Sequence, residues 1–489
     1  LIPILSPFHG KCEIDSKPGG EFAAPEPHRA ARALPGLLLA LLASVLSLTA
    51  VANALPSILT DLDGTPGQFA WVVTAALLAA TATTPIWGKL ADLFSKKLLY
   101  QLAIVLFTAG SALAGAARSM DELITLRALQ GIGIGGLQAL VQVVLGALIP
   151  PRDRGRYAGY LSATAAAGTV SGPLIGGLVV DSPLGWRWCF WGCVPIAALA
   201  FLVLGRTLRL PIARREVKID WLGAVLLVGG ATLSLVWVSL AGKRFGWLSW
   251  PSACHLGGAA VALALAVLVE RKAREPVVPL RLFRERTFAL SVLGSFTVGT
   301  AMLAGAVFLG PYLQIARGFS PTRTGLMTAP LVAGTVLSST LAGRVIARTG
   351  KAKPWLVGGT VVLLAGLGLL STIDHTTDLA WVGLFLGLTG LGLGGLTQNL
   401  VLVAQNTVGM ADLGTATSAI PFFRHLGGSA GISVLGTVLA GHLAEAGTSL
   451  PAAYGDAIGL LFLITCCITV VTLVSMLLIK ETPLRTERS

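Results

Sequence analysis

Two arginines stand inside long apolar runs, Arg127 in LITLRALQGIG and Arg424 in IPFFRHLGG. A cation in such a setting is costly unless it faces a partner or a water-filled cavity. Arg127 follows Asp121 and Glu122 by one to two helical turns, so it either reaches back to them near the membrane surface or serves the interior. Arg424, beside His425 and close to the start of its run, carries the same two readings and is placed among the substrate-binding residues. Taking up and releasing a proton near neutral pH needs a group whose protonation changes there. Asp61, Asp121, Glu122 and His425 are the residues placed for that, and Asp121 and Glu122 come first because they precede Arg127 so closely that the pair can exchange partners. Polar amides recur at Gln138, Gln142, Gln398 and Asn399, where they either orient a bound molecule or tie helices together.

Patterns that signal enzymes fail on their surroundings. Gly131-x-Gly133-x-x-Gly136 has the spacing of a dinucleotide-binding turn, but it lies in the middle of an apolar run with no strand before it. Gly427-Gly428-Ser429-Ala430-Gly431 has the spacing of a hydrolase nucleophile turn; the repeat described below reuses its glycines as Gly168 and Gly172 around Val170, without the serine, so packing accounts for them. The chain has no G-x-x-x-x-G-K-[S/T] phosphate loop and no H-E-x-x-H. Neither an enzyme reaction nor a cofactor is expected, and the 6 cysteines and 6 histidines show no metal spacing.

The elements that hold these residues are membrane helices. The chain is 54% hydrophobic and 12% charged with a mean hydropathy of +0.78, against about 25% charged residues in soluble domains, which excludes a water-soluble fold. Runs of the roughly 20 apolar residues that cross a bilayer fall at about 35–58, 69–90, 98–117, 123–149, 157–180, 188–206, 221–241, 253–270, 289–311, 323–347, 354–372, 379–406, 416–440 and 456–479. Fourteen spans are expected.

Charge placement orients them. The net charge is +13, yet the cations sit in short connections and form no nucleic-acid face. With the N-terminus in the cytosol, 28 of the 36 lysines and arginines fall on the cytosolic side, six on the external side, and only Arg127 and Arg424 between. That bias predicts both termini in the cytosol of a multi-pass protein of the bacterial plasma membrane. Residues 1–34 read as a disordered cytosolic tail rather than a signal peptide.

An internal repeat sets the architecture. Leu129–Leu137 reads LQGIGIGGL and Leu388–Leu396 reads LTGLGLGGL, 259 residues later. The same offset carries Gly168, Gly172 and Gly177 onto Gly427, Gly431 and Gly436. The expected fold is therefore all-α: six-helix bundles at 35–206 and 287–480, two inserted helices within 207–286, and a cytosolic tail at 481–489. Parallel repeats with a site between them describe a transporter that rocks one half on the other.

Two loops or helix faces fit such motion. Gly168, Gly172 and Gly176 recur at every fourth residue beside Pro173 and Gly177, making a smooth bent face that another helix can approach; plain packing is the alternative. Gly88-Lys-Leu-Ala-Asp92-Leu-Phe-Ser-Lys96-Lys97 joins the second and third spans. Its carboxylate among cations either forms a charge cluster that shuts the cytosolic side or only records topology.

These residues resemble the major facilitator superfamily, and within it the fourteen-helix drug:proton antiporter branch. The likeness runs from about Leu37 to Lys480 and rests on Gly88–Lys97, Arg127-Ala-Leu-Gln130-Gly131, Gly168–Gly177, Trp186-Arg187-Trp188 and Ala54-Leu55-Pro56. The resemblance implies that Gly168–Gly177 shapes the interface that favours export and that Arg127 belongs to the coupling machinery. It also implies a cavity lined by the first, fourth, ninth and twelfth spans, placing Thr49, Asn53, Gln138, Gln142, Gln398 and Asn399 near substrate. One position departs: where the family pattern resembles L-D-x-T, this chain reads Leu46-Ser47-Leu48-Thr49, so the expected proton-carrying acid is Ser47. The implied function is export of drugs, antibiotics or other small amphipathic molecules, by a monomer in the lipid bilayer, with protons as partner. A facilitator or anion-linked carrier is the alternative, and a non-transporting receptor lacks the soluble domain it would need.

Overall fold

The computed structural model describes residues 27–64, 66–149, 151–208, 220–240, 245–246, 249–273, 279–319, 321–409, 412–445 and 450–481. The tails expected at 1–34 and 481–489 lie mostly outside these, but the first helix begins at Pro27 rather than Pro35 because HRAARAL continues the helical run. Helices α1 (Pro27–Asp61), α2 (Pro66–Leu93), α3 (Lys96–Gly115), α4 (Met120–Leu148), α5 (Pro151–Asp181), α6 (Trp188–Trp191) and α7 (Cys193–Thr207) form the first half. The sixth expected span is thus two helices, α6 and α7. Next come α8 (Trp221–Leu240) and α9 (Trp250–Lys272). The second half contains α10 (Arg286–Pro311), α11 (Pro321–Met327), α12 (Ala329–Thr349), α13 (Lys353–Leu370), α14 (Leu379–Asn406), α15 (Leu413–Glu445) and α16 (Leu450–Leu478).

Among the described residues, twelve helices are long and apolar enough to cross a membrane. α5, with 31 residues, is not among them. The apolar stretch of α8, Leu222–Trp237, is shorter than the rest. Many leucines and valines point outward, Leu98, Leu178, Leu222 and Leu265 among them, as an apolar solvent requires.

The buried cores are separate. One gathers residues between Leu282 and Ile479, and two others gather residues between Ala33 and Leu208. The halves start equivalent helices the same way: Ser119 accepts a hydrogen bond from the Glu122 N–H to begin α4, and Asp378, 259 positions on, accepts from the Ala380 N–H to begin α14. α8 lies against both α2 and α15, with Ala224 packed on Ile86 and Phe283.

Candidate functional site

Where α1 crosses α4, an internal polar cluster replaces the ion pair expected of Arg127. The guanidinium is fully buried. Its Nη1 donates to Gln130 Oε1 at 2.6 Å and lies 3.4 Å from the Ser47 carbonyl, while Nε donates to the Val72 carbonyl at 2.9 Å. Gln130 Nε2 then donates to Ser47 Oγ at 2.8 Å, and the Phe190 ring lies 5.7 Å from the guanidinium carbon. One cation thereby ties α4 to α1, α2 and α6. Gln130, three residues after Arg127, shares its helix face and completes the cluster; sequence reasoning had it only as part of a motif.

Asp121 and Glu122 do not join Arg127. They occupy the first turn of α4, where the helix N-terminus favours carboxylates. Asp121 accepts from Gln68 Nε2 at 2.8 Å, and Glu122 accepts from the Arg118 N–H at 3.0 Å. Asp61 is also engaged elsewhere, accepting from Trp186 Nε1 at 3.0 Å and Arg187 Nη1 at 2.6 Å. The Trp186 N–H and then the Arg187 guanidinium hold its carboxyl below the usual range. It therefore stays ionised at neutral pH. Asp61, Trp186 and Arg187 rim an open cleft of about 490 Å³ on the face opposite the α2–α3 turn.

At the α2–α3 end the halves are bonded to each other. Asp92 accepts from the Gly414 N–H at 2.6 Å, the Thr415 N–H at 2.9 Å and the Thr415 hydroxyl at 3.0 Å. Of the expected cations, Lys96 lies close enough to Asp92 for charge attraction, whereas Lys97 donates to the Gly205 carbonyl at 2.6 Å; the hydrogen bonds to Asp92 come from the free N–H array at the start of α15. Gly88 permits this, since a side chain there would strike Ser418 and the Gly414 backbone.

A second tier lies deeper. Gln142 Nε2 donates to Gln398 Oε1 across the halves at 2.6 Å. Nearer the α2–α3 face, Arg154 Nη1 donates to Gln405 Oε1 at 2.8 Å, with Nε and Nη2 on the Ile149 and Gly146 carbonyls. Gln405 Nε2 continues to Thr417 Oγ1 at 2.9 Å. Between the tiers remains a void of about 20 Å³, room for about one water. Among the described residues, every side-chain hydrogen bond between the halves, Ser162 to Ser339 included, lies toward this end. Arg154 and Gln405 were missed from sequence because a basic loop residue and a helical amide look ordinary until the repeat brings them face to face.

The other expected residues divide. α1 lies along the Gly168, Gly172 and Gly176 face, with Thr49 Oγ1 donating to the Gly168 carbonyl at 3.1 Å. Gly177 points to open space, and the side chains of Pro173 and Asn53 lie outside the described ones. Gln138 is half-buried. Asn399 is turned to its own helix, donating to the Gly395 carbonyl at 2.8 Å. Arg424 is half-buried, with Nη1 on the Thr397 carbonyl at 2.9 Å.

The sequence profile of the Major Facilitator Superfamily matches residues 37–432. The chain belongs to that superfamily. This chain is 34% identical over 406 residues to the Multidrug transporter protein MdtP of Bacillus subtilis, covering 83% of this chain and 74% of that one. It is 35% identical over 402 residues to the Efflux pump dotC of Dothistroma septosporum, 81% of this chain and 68% of the pump. The proton:xylose symporter XylE has the same fold, with a TM-score of 0.68 at 14% identity over 93% of this chain and 97% of XylE.

The paired tiers make an expectation for this protein. Arg154→Ala should speed labelling of a Leu402→Cys probe beside the void, from the α2–α3 face, by about tenfold, the equivalent of one net charged hydrogen bond. An unchanged rate would show that Arg154 does not hold the closure.

Proposed function

We propose that this multi-pass membrane protein is a secondary active exporter of small amphipathic molecules, working as a monomer by alternating access across the bacterial cytoplasmic membrane. In this reading all fourteen long helices cross the bilayer, α5 and α8 included, with both termini in the cytosol, and the two bundles at 35–206 and 287–480 rock about an axis along the membrane normal. The observation that carries it is the one-sided bonding of the halves: Asp92 with α15, Gln142 with Gln398 and Arg154 with Gln405 all close the same end. That is a cytosol-shut, outward-facing arrangement. The curated relatives named for multidrug transport and efflux support the direction and the substrate type.

A second reading concerns the driving force. The cluster at Ser47 holds a hydroxyl and an amide where a proton antiporter would need a group that ionises. This favours transport not coupled through a buried carboxylate.

Two measurements test the main reading together. In a cysteine-free background, an impermeant maleimide added outside should label Arg118→Cys and spare Lys351→Cys. Purified protein in proteoliposomes should move an amphipathic dye. The reverse labelling, or a dye that stays put in correctly oriented protein, would overturn it.

A further inference from the structure

The interior of this protein carries positive groups without a negative one. Every Asp and Glu lies in a connection, in a tail or within two turns of a helix end. Arg424 and His425 are interior by the same measure, and Arg127, seven residues from the start of α4, is fully buried at its limit. Among the described residues, the buried Arg127 Nη2 and His425 Nδ1 have no hydrogen-bond partner.

Arg424 is the cation among them that keeps partial exposure, Arg127 having none. It sits eleven residues into α15, about 16 Å from the start of that helix. Its side chain is half-buried rather than sealed. A single bond from Nη1 to the Thr397 carbonyl pins one edge of the guanidinium, and Nε and Nη2 bond to none of the described residues. Thr397 immediately precedes Gln398, whose amide meets Gln142 across the halves. The half-bonded fork therefore hangs beside the contact that must open and close.

We propose that Arg424 receives the anionic head of an amphipathic organic anion, such as a carboxylate, at the closure formed by Gln142 and Gln398. This rests on the reading of the chain as a carrier and narrows its substrate class. A planar guanidinium with Nε and Nη2 on one edge matches a carboxylate with two parallel hydrogen bonds, and the Gln398 amide N–H groups are near enough in the chain to add a donor. An amphipathic cation would meet the same guanidinium with no interior carboxylate to offset it. The driving force agrees. An inside-negative potential expels an anion unaided, so no proton need return, and a serine at position 47 is sufficient.

The test uses the full chain in proteoliposomes and three dansyl-labelled probes with one undecyl body: the carboxylate, its primary amide and its trimethylammonium analogue. The carboxylate should bind about tenfold or more tightly than the amide, the ammonium compound more weakly still, and Arg424→Gln should bring the carboxylate to amide ratio near one. Arg424→Lys should restore most of the preference, which loss of a merely structural bond to Thr397 would not predict. Equal binding of all three, an ammonium preference, or a carboxylate preference untouched by Arg424→Gln would overturn the assignment. Counterflow of the ammonium probe without any carboxylate preference would leave the carrier reading standing. Failure of all three to bind or move in correctly oriented protein would remove both.

Discussion

Gly172→Leu is expected to reach the membrane folded and to transport at less than about a tenth of the normal rate. A Cβ placed at Gly172 would already strike the Thr49 hydroxyl and press on the Ala50 N–H at 3.2 Å. Leucine adds three more heavy atoms to that side chain, so α1 and α5 must separate, and the Thr49 bond to the Gly168 carbonyl breaks. Overpacking of this kind costs about 1 to 3 kcal/mol, less than the roughly 5 to 15 kcal/mol that holds a domain together, so the bundle survives while the approach of the two helices does not. Gly172→Ala should give an intermediate loss, and adding Thr49→Ala should recover part of it by removing the clashing hydroxyl. Efflux at the normal rate by well-expressed Gly172→Leu protein would show that this contact has no part in transport.

The second large effect concerns protons. In the unaltered protein, a pH difference of about one unit should change substrate accumulation by less than about twofold, whereas Ser47→Asp should bring a cationic test compound close to the tenfold that one coupled proton supplies per unit. The new carboxylate would stand where Ser47 Oγ accepts from Gln130 and lies 3.5 Å from Arg127 Nη1. There it would pair with the guanidinium when ionised and release it when protonated. Strong proton coupling in the unaltered protein that survived Asp61→Asn, Asp121→Asn, Glu122→Gln and His425→Gln, singly and combined, would show that the protons travel by another route.

Much of the architecture was legible because membrane helices announce themselves by apolar length and because the 259-residue repeat could be read letter by letter. The glycine face toward α1 was legible for the same reason: spacing alone puts Gly168, Gly172 and Gly176 on one side of a helix. The partners of charged groups were not. Arg127 lies within two turns of Asp121 and Glu122 in sequence, yet those carboxylates serve the helix start, and the guanidinium turns to backbone carbonyls and Gln130. Asp92 takes its hydrogen bonds from the N-terminus of a helix more than 300 residues away, a partner made of backbone that no side-chain pattern encodes. The Arg154 and Gln405 bond joins two helices whose residues touch only after the halves have folded together.

The two seams between the halves are not alike. Where α2 meets α15, α8 lies over both, with Ala224 wedged between Ile86 and Phe283; where α5 meets α12, the described helices lie directly on each other at Gly159 and Thr340. A molecule dissolved sideways in the lipid would therefore find one seam covered by the inserted hairpin and, among the described residues, no hairpin over the other. Amphiphiles arriving from the bilayer would meet less cover between α5 and α12.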